Sequence, residues 1–306
     1  MIMSTTQHIN SSVSDLAFEG NYVEIDGIRL HYVDEGSGPP ILMVHGQPTW
    51  SYLYRKMIPP LVAAGYRCVV PDLMGFGLSD KPTDESAYSL QRHVELITGL
   101  VEKLKLQSIT IVGQDWGGPI GLRYAIKHQD NIHALVILNT LVRTPPSDLR
   151  TMHMRIMIKV LFQNGAFSSF LIRRLDLFRR MMYRIGFKMS SDPQVMKQYR
   201  MPHPTAASRA GVAAFPKMLP LSTAHPNAQY INEIEETLAK WDVPVQVMFS
   251  DKDMVFQVKE GQRIASMVPN GRFQVVRNAG HYLQEDAGEE IAESMVTFLR
   301  DAAEVS

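Results

Sequence analysis

The chain alternates between short apolar runs and stretches with helical spacing, and this alternation constrains the fold more than any other feature. The apolar runs are PPILMVHG (39–46), YRCVVPDL (66–73), SITIVG (108–113), IHALVILNT (132–140), VPVQVMF (243–249) and RFQVVRNAG (272–280). Continuous apolar runs are typical of strands buried on both faces. The sequence therefore predicts an α/β fold with a mostly parallel central sheet flanked by helices.

Two further elements precede the second apolar run. The segment 21–36 alternates like a β-hairpin, with Asp26-Gly27 as its turn. The segment from about Thr49 to Ala64 has helical spacing, and we predict one helix there.

The alternation stops between residues 142 and 220, which read as helical and hold nine of the chain's eighteen methionines. We therefore predict a core formed by residues 1–141 and 221–306, with a helical cap at 142–220. The cap has fourteen Lys/Arg and three Asp/Glu, a net charge of +11 in a chain of zero formal charge. Its basic amphipathic segment 170–189 fits a helix with arginines in water. Contact with a membrane surface or an acidic partner is the alternative.

Composition excludes several classes of protein. Zero net charge gives no general attraction to nucleic acid. The single cysteine, Cys68, cannot form an internal disulfide, so a reducing compartment such as the cytoplasm fits. The polar N-terminal stretch lacks the apolar core of a secretory signal, and no run of apolar residues predicts a transmembrane helix.

The stretch ITIVGQDWGGPIG (109–121) places Asp115 at a predicted strand-to-helix turn. Gly113, Gly117 and Gly118 allow the backbone to bend sharply and the helix to pack close to the strand. This is the pattern of a nucleophile elbow, with aspartate in place of the usual serine. An aspartate that caps the following helix is the simpler interpretation.

Other predicted loops supply the partners that an elbow nucleophile requires, which are an acid and then a histidine in chain order. Asp251 and Asp253 follow the apolar run 243–249, and His281 follows the last run. The backbone N–H of Gln47, after the run 39–46, is placed to be an oxyanion donor. Each residue has an ordinary structural explanation, but their joint order favours a catalytic site.

These motifs resemble those of the haloalkane dehalogenases, which are α/β-hydrolase fold enzymes with an inserted helical cap. The resemblance covers nearly the whole chain through HGQPTWSYLYRKMIPPL, GQDWGGPIGLRYA, RAGVAAFPKMLP and GHYLQED. It implies Asp115 as nucleophile, Asp253 as acid and His281 as base. It also implies that Phe215 and Pro216 line the cap side of the pocket, and that no cofactor or metal takes part.

The implied reaction explains the aspartate. A serine that attacked a saturated carbon would leave an ether, which water and histidine cannot cleave. A carboxylate leaves an ester, which a histidine-activated water hydrolyses to an alcohol, with release of halide and a proton. The acid orients the histidine, and the backbone N–H groups of Gln47 and Trp116 stabilise the oxyanion.

A departing halide needs N–H donors, and the Trp116 indole offers one. The family adds either an asparagine shortly after the third strand or a cap tryptophan. Here Gln47 stands where the family has the asparagine, and the other tryptophans, Trp50 and Trp241, lie outside 142–220. We expect the Gln47 amide to be the second donor.

This departure leaves three alternatives open. An epoxide hydrolase would use the same Asp-His-Asp set with a cap tyrosine, Tyr183 or Tyr199, as proton donor to the alkoxide. A β-lactone-processing relative would also share the set. A catalytically silent binding protein is the alternative from another class.

Overall fold

The structure is a computed structural model that describes residues 18–145, 149–188 and 192–305. The strands are β1 (Gly20–Ile25), β2 (Ile28–Glu35), β3 (Pro40–Val44), β4 (Arg67–Pro71), β5 (Ile109–Gln114), β6 (Ile132–Leu138), β7 (Val245–Ser250) and β8 (Gly271–Val276). The helices are α1 (Ile58–Ala63), α2 (Leu90–Leu104), α3 (Gly117–Lys127), α4 (Leu149–Phe162), α5 (Gly165–Arg173), α6 (Leu177–Gly186), α7 (Pro193–Arg200), α8 (Ala210–Met218), α9 (Asn227–Leu238), α10 (Val258–Met267) and α11 (Leu283–Val305).

All eight strands form one sheet in the order β1-β2-β4-β3-β5-β6-β7-β8. Strand β2 is antiparallel to β1 and β4, and the pairs from β4 to β8 are parallel. This topology confirms the predicted α/β fold. The hairpin prediction is also confirmed, because Asp26 (φ 47°) and Gly27 (φ 75°) form the two-residue turn between β1 and β2.

The central strands are buried on both faces, as their continuous apolar sequence predicts. In β3, Leu42 and Val44 belong to the apolar core on one side of the sheet, whereas Ile41 and Met43 belong to the core on the other side. Because β3, β5, β7 and β8 run parallel, the loops that follow them leave the same edge of the sheet. This edge carries the predicted catalytic residues.

The prediction of one helix over 49–64 is wrong. A 3₁₀-helix covers Ser51–Tyr54, and α1 begins only at Ile58. Pro59 and Pro60 lack the N–H that a helix interior requires, but they are tolerated in a first turn. The helix therefore starts at the prolines and does not pass through them.

The described residues between β6 and β7 are helical, as predicted. The basic segment 170–189 is divided into α5 and α6 by Asp176, which has a left-handed backbone (φ 55°). Met189, at its end, lies outside the described residues. No helix in the described ranges combines the length and apolar character needed to cross a bilayer.

Candidate active site

Asp115 lies at the turn between β5 and α3 with a left-handed backbone (φ 51°). This conformation is uncommon for residues other than glycine and persists where the surroundings fix it. The Asp115 N–H donates to the Asn139 carbonyl (3.0 Å), and its own carbonyl accepts from Gly118 N–H (3.1 Å) and Thr140 Oγ1 (2.5 Å). The predicted elbow geometry is therefore present and held on both sides.

Glycines let the neighbouring backbones approach this turn. A Cβ atom at Gly117 would lie 1.9 Å from the Val44 carbonyl oxygen, so α3 could not pack against β3. A Cβ atom at Gly46 would lie 2.3 Å from that of Asp115. The loop after β3 consequently reaches the carboxylate only because residue 46 is glycine.

That loop brings the Gln47 backbone N–H to Asp115 Oδ1, where it donates at 2.8 Å. The other carboxylate oxygen, Asp115 Oδ2, lies 3.6 Å from His281 Nε2. The second distance is longer than a hydrogen bond. One oxygen of Asp115 is thus held by a backbone donor, while the other faces an imidazole.

His281 follows β8, and its Nδ1 lies 2.9 Å from Asp253 Oδ2. The second oxygen, Asp253 Oδ1, accepts the Val255 N–H at 2.6 Å, so the carboxylate is fixed in orientation. Asp251, the other acid considered, instead forms an ion pair with Lys252 (3.4 Å). The structure brings Asp115, His281 and Asp253 together in that order.

Two opposing effects act on His281, whose side chain is 1% exposed. Burial lowers its pKa, but the carboxylates of Asp253 and Asp115 outweigh burial and raise the pKa to about 10. The two carboxylates therefore favour the imidazolium form of His281 in the resting site.

Two buried amides beside His281 were not predicted from the sequence. Gln114 Nε2 lies 3.3 Å from His281 Nε2 and 3.1 Å from the His281 carbonyl oxygen. Asn139 Nδ2 donates to Ser250 Oγ (2.7 Å) and to the carbonyl of Gly280 (3.2 Å). A polar residue at the end of a buried strand was the available signal for both.

An aromatic cluster lies beside Trp116, the residue that follows Asp115. Trp116 is buried, and the Phe215 ring packs edge-on against it at 5.6 Å. Phe215 also packs against Phe76 (4.8 Å) and His93 (4.7 Å). Within the described parts of the chain, the Trp116 indole N–H has no hydrogen-bond acceptor. It is available to a ligand.

The Gln47 side chain bridges the core and α8, because its Nε2 donates to the Val212 carbonyl at 2.5 Å. A carbonyl accepts only from the NH₂ group, so this contact fixes the amide orientation. One of the two amide hydrogens is therefore already hydrogen-bonded. The role of the Gln47 amide as second halide donor rests on the remaining hydrogen and stays a prediction.

The two cap tyrosines make other contacts. The Tyr183 hydroxyl lies 3.0 Å from the Pro48 carbonyl and 2.9 Å from the Tyr199 carbonyl, and the Tyr199 hydroxyl donates to Glu285 Oε2 at 2.7 Å. Pro216 is buried within α8, and its carbonyl accepts from Gln163 Nε2 (2.8 Å). The pocket-lining role of Pro216 stays a prediction.

The described ranges contain no group of three or more His, Cys, Asp or Glu side chains that could hold a metal ion.

Comparisons with known proteins show which family this chain resembles. A family model described as alpha/beta hydrolase fold matches residues 39–288. A haloalkane dehalogenase of Mycobacterium marinum is 36% identical over 92% of this chain and 94% of its own length. One of Psychrobacter cryohalolentis is 33% identical over 98% of both chains.

A solved structure shows the same likeness. Haloalkane dehalogenase DpaA from Paraglaciecola agarilytica NO2, described as tetrameric, is 29% identical with a TM-score of 0.76, over 91% of this chain and 92% of that one. Fold and site together define an α/β hydrolase with an aspartate at its elbow. The chain belongs to the haloalkane dehalogenase family.

Proposed function

We propose that this protein hydrolyses the carbon–halogen bond of haloalkanes and releases an alcohol, a halide ion and a proton. Its family membership supports this activity. The observation that carries the proposal is the carboxylate of Asp115, placed between the Gln47 N–H and a His281–Asp253 pair. An aspartate in this setting suits displacement at saturated carbon.

The first step forms an ester. Because Asp115 Oδ1 is held by Gln47, Oδ2 is the oxygen that attacks the carbon in line with the halogen. The new bond joins Oδ2 to carbon, and the halide leaves with the electron pair of the broken bond. The Trp116 indole N–H binds the halide as it departs.

The second step cleaves the ester. His281 Nε2 takes a proton from water, and the hydroxide attacks the Asp115 carbonyl carbon. The Gln47 N–H stabilises the charge on Oδ1, and Asp253 stabilises the imidazolium. The alcohol leaves, the carboxylate is restored and one proton passes to solvent.

Esterification also prepares the base. Two carboxylates raise the pKa of His281 in the resting site. The ester removes the charge of Asp115, so the pKa of His281 falls when the reaction needs a neutral imidazole.

One observation favours haloalkanes over epoxides. An epoxide hydrolase must protonate an alkoxide, and the hydroxyls of Tyr183 and Tyr199 already contact backbone carbonyls and Glu285. A halide requires only N–H donors. The aromatic surroundings of Trp116 and Phe215 suit an apolar substrate.

We also propose a cap at residues 142–220 on a core of residues 1–141 and 221–306. The five helices α4–α8, which lie between β6 and β7, support this division. The free, buried thiol of Cys68 supports a cytoplasmic location. The proposed partners are a small apolar halogenated substrate and water.

A paired assay tests the function. A brominated alkane and an epoxide are incubated separately with the enzyme, and bromide and diol are measured. We expect bromide without diol, no turnover in Asp253→Asn, and most of the activity in the matched control Asp251→Asn. Diol without bromide would contradict the proposal, and loss only in Asp251→Asn would reassign the acid.

A further inference from the structure

Exposed apolar side chains are concentrated on the helices α4, α5 and α6. Ten large apolar side chains are exposed in the described residues, and seven of them lie between 156 and 177. They are Ile156, Met157, Val160, Phe167, Phe170, Leu175 and Leu177. Phe167 is 49% exposed and Phe170 is 54% exposed. Such a concentration marks an interaction surface.

The exposed apolar residues share helix faces with arginines. Positions i, i+3 and i+7 lie on one side of a helix. Two stripes have this spacing: Phe167 and Phe170 on α5 with Arg174 directly after its end, and Leu177, Arg180 and Arg184 on α6. Helix α5 packs against both α4 and α6, so the exposed residues lie on neighbouring helices. We call the exposed side of α4–α6 the cap face.

The cap face is positively charged. Its exposed cations are Lys159, Arg174, Arg180, Arg184 and Lys188. The only acidic residue between 149 and 188 is Asp176, which is buried and forms ion pairs with Arg179 and, at 3.8 Å, with Arg180. Two acids from the core contact this region: Glu85 is paired with Arg173 and Lys217, and Asp286 accepts the Lys188 backbone N–H at 3.4 Å. The exposed arginines therefore have no exposed carboxylate on their own helices.

A groove at one edge of the cap face combines both features. Its volume is about 620 Å³, and it lies between α5 and the turn at residues 205–207. Phe170 and Arg174 both line it. A recess with an aromatic ring beside a guanidinium suits a ligand with an anionic and an apolar part.

We propose that the cap face docks on an anionic phospholipid surface, with its apolar side chains at the acyl boundary and its arginines on the phosphates. A second copy of this chain would bring like charges together. An acidic protein or nucleic acid would match the arginines, but it would leave Phe167 and Phe170 without an apolar partner. A lipid surface matches both.

This docking would matter for the reaction, and that part rests on the proposed function. Small haloalkanes are apolar and partition from water into the acyl layer. An enzyme held on the bilayer by its cap would take up substrate where it is most concentrated.

Vesicle flotation tests the charge requirement. The full chain is mixed with vesicles of phosphatidylcholine and phosphatidylserine, or of phosphatidylcholine alone. We expect binding to the anionic vesicles that weakens with salt. Arg174→Glu with Arg184→Glu should weaken it at least about 25-fold, because each basic residue near such a surface contributes about fivefold. Lys103→Glu with Lys240→Glu, exposed on the core, is the matched control and should bind normally.

The apolar requirement is tested separately. Phe167→Ser with Phe170→Ser should weaken anionic-vesicle binding roughly tenfold or more. Tyr22→Ser is the matched control, since Tyr22 is 48% exposed on β1. These variants should release bromide from a water-soluble substrate as the wild type does. A loss of bromide release would count against the proposed function, whereas the docking proposal is judged by vesicle binding alone.

Four results would overturn docking on lipid. The wild-type chain would fail to float with anionic vesicles, or the cap variants would bind as well as their controls. Alternatively, the phenylalanine pair would change the sedimentation coefficient of the lipid-free protein, which would assign the face to a second copy. Arginine-dependent binding to heparin without vesicle binding would assign it to an acidic macromolecule.

Discussion

The Gln47 backbone N–H lies 2.8 Å from Asp115 Oδ1, on a loop that reaches the carboxylate only because residue 46 is glycine. This contact divides the work of the two carboxylate oxygens. Oδ1 is held for charge stabilisation, and Oδ2 is left to attack. The left-handed backbone of Asp115 holds the carboxylate in this position.

The strain predicts that two inactive variants of Asp115 differ in stability. Both Asp115→Ala and Asp115→Gly should abolish bromide release. The glycine variant should be more stable than the alanine variant by about 1 kcal/mol, because φ of 51° costs glycine nothing and alanine about that much. Urea unfolding of both variants measures the difference. Equal stabilities would mean that the elbow is not strained.

Gln114 should lower the pKa of the catalytic base, His281. Its amide faces His281 Nε2, and an N–H donor at that atom favours the neutral imidazole. Gln114→Leu should shift the acidic limb of the kcat profile upward by roughly half to one pH unit. Pre-steady-state measurement of ester hydrolysis against pH gives this shift. A uniform loss of rate with an unshifted profile would leave Gln114 a purely structural role.

Trp116 and Gln47 should contribute unequally to the leaving-group site. Trp116→Phe removes the indole donor and should slow bromide release about tenfold or more. Gln47→Asn keeps the backbone N–H but shortens the side chain, which loses Val212 and can turn both amide hydrogens to the halide. We expect debromination to be kept or improved. Burst kinetics would check both, and a greater loss from Gln47→Asn would contradict this ranking.

His281 should make the protein less stable in alkali. Its pKa is about 10 in the folded state and about 6.5 when unfolded. Its stabilising effect is therefore complete below about pH 6.5 and is lost as pH rises to about 10, by about 1.4 kcal/mol per pH unit. Unfolding at pH 7, 8 and 9 should show this fall in the wild type, with a shallower fall in His281→Gln. Identical slopes would be inconsistent with a charged resting His281.

The sheet and the catalytic order could be predicted because both are encoded locally. Apolar runs specify buried strands, and residues directly after parallel strands must share one edge of the sheet. Asp115 and His281 follow such strands, so their meeting required no knowledge of packing. The choice of Asp253 over Asp251 came from family resemblance, and the structure agrees with it through the contact with His281.

Contacts between distant segments could not be read from the sequence. Gln47 looked like a free donor, but its partner is a carbonyl of α8 that lies 165 positions away. In the sequence, Gln114 and Asn139 stand only at the ends of buried strands. Their contacts with the loop of His281 are apparent only in the structure. The break at Asp176 depends on a backbone conformation that periodicity does not report.

The central claim is that Asp115 becomes covalently attached to the substrate. His281→Phe tests it most directly, because the base acts only in the second step and the ester should accumulate. After a brominated alkane is added, intact-protein and peptide mass spectrometry should show the alkyl group on Asp115, and wild-type enzyme should show little or none. If substrates that the wild type turns over leave no adduct in His281→Phe, or leave it on another residue, the two-step account is wrong.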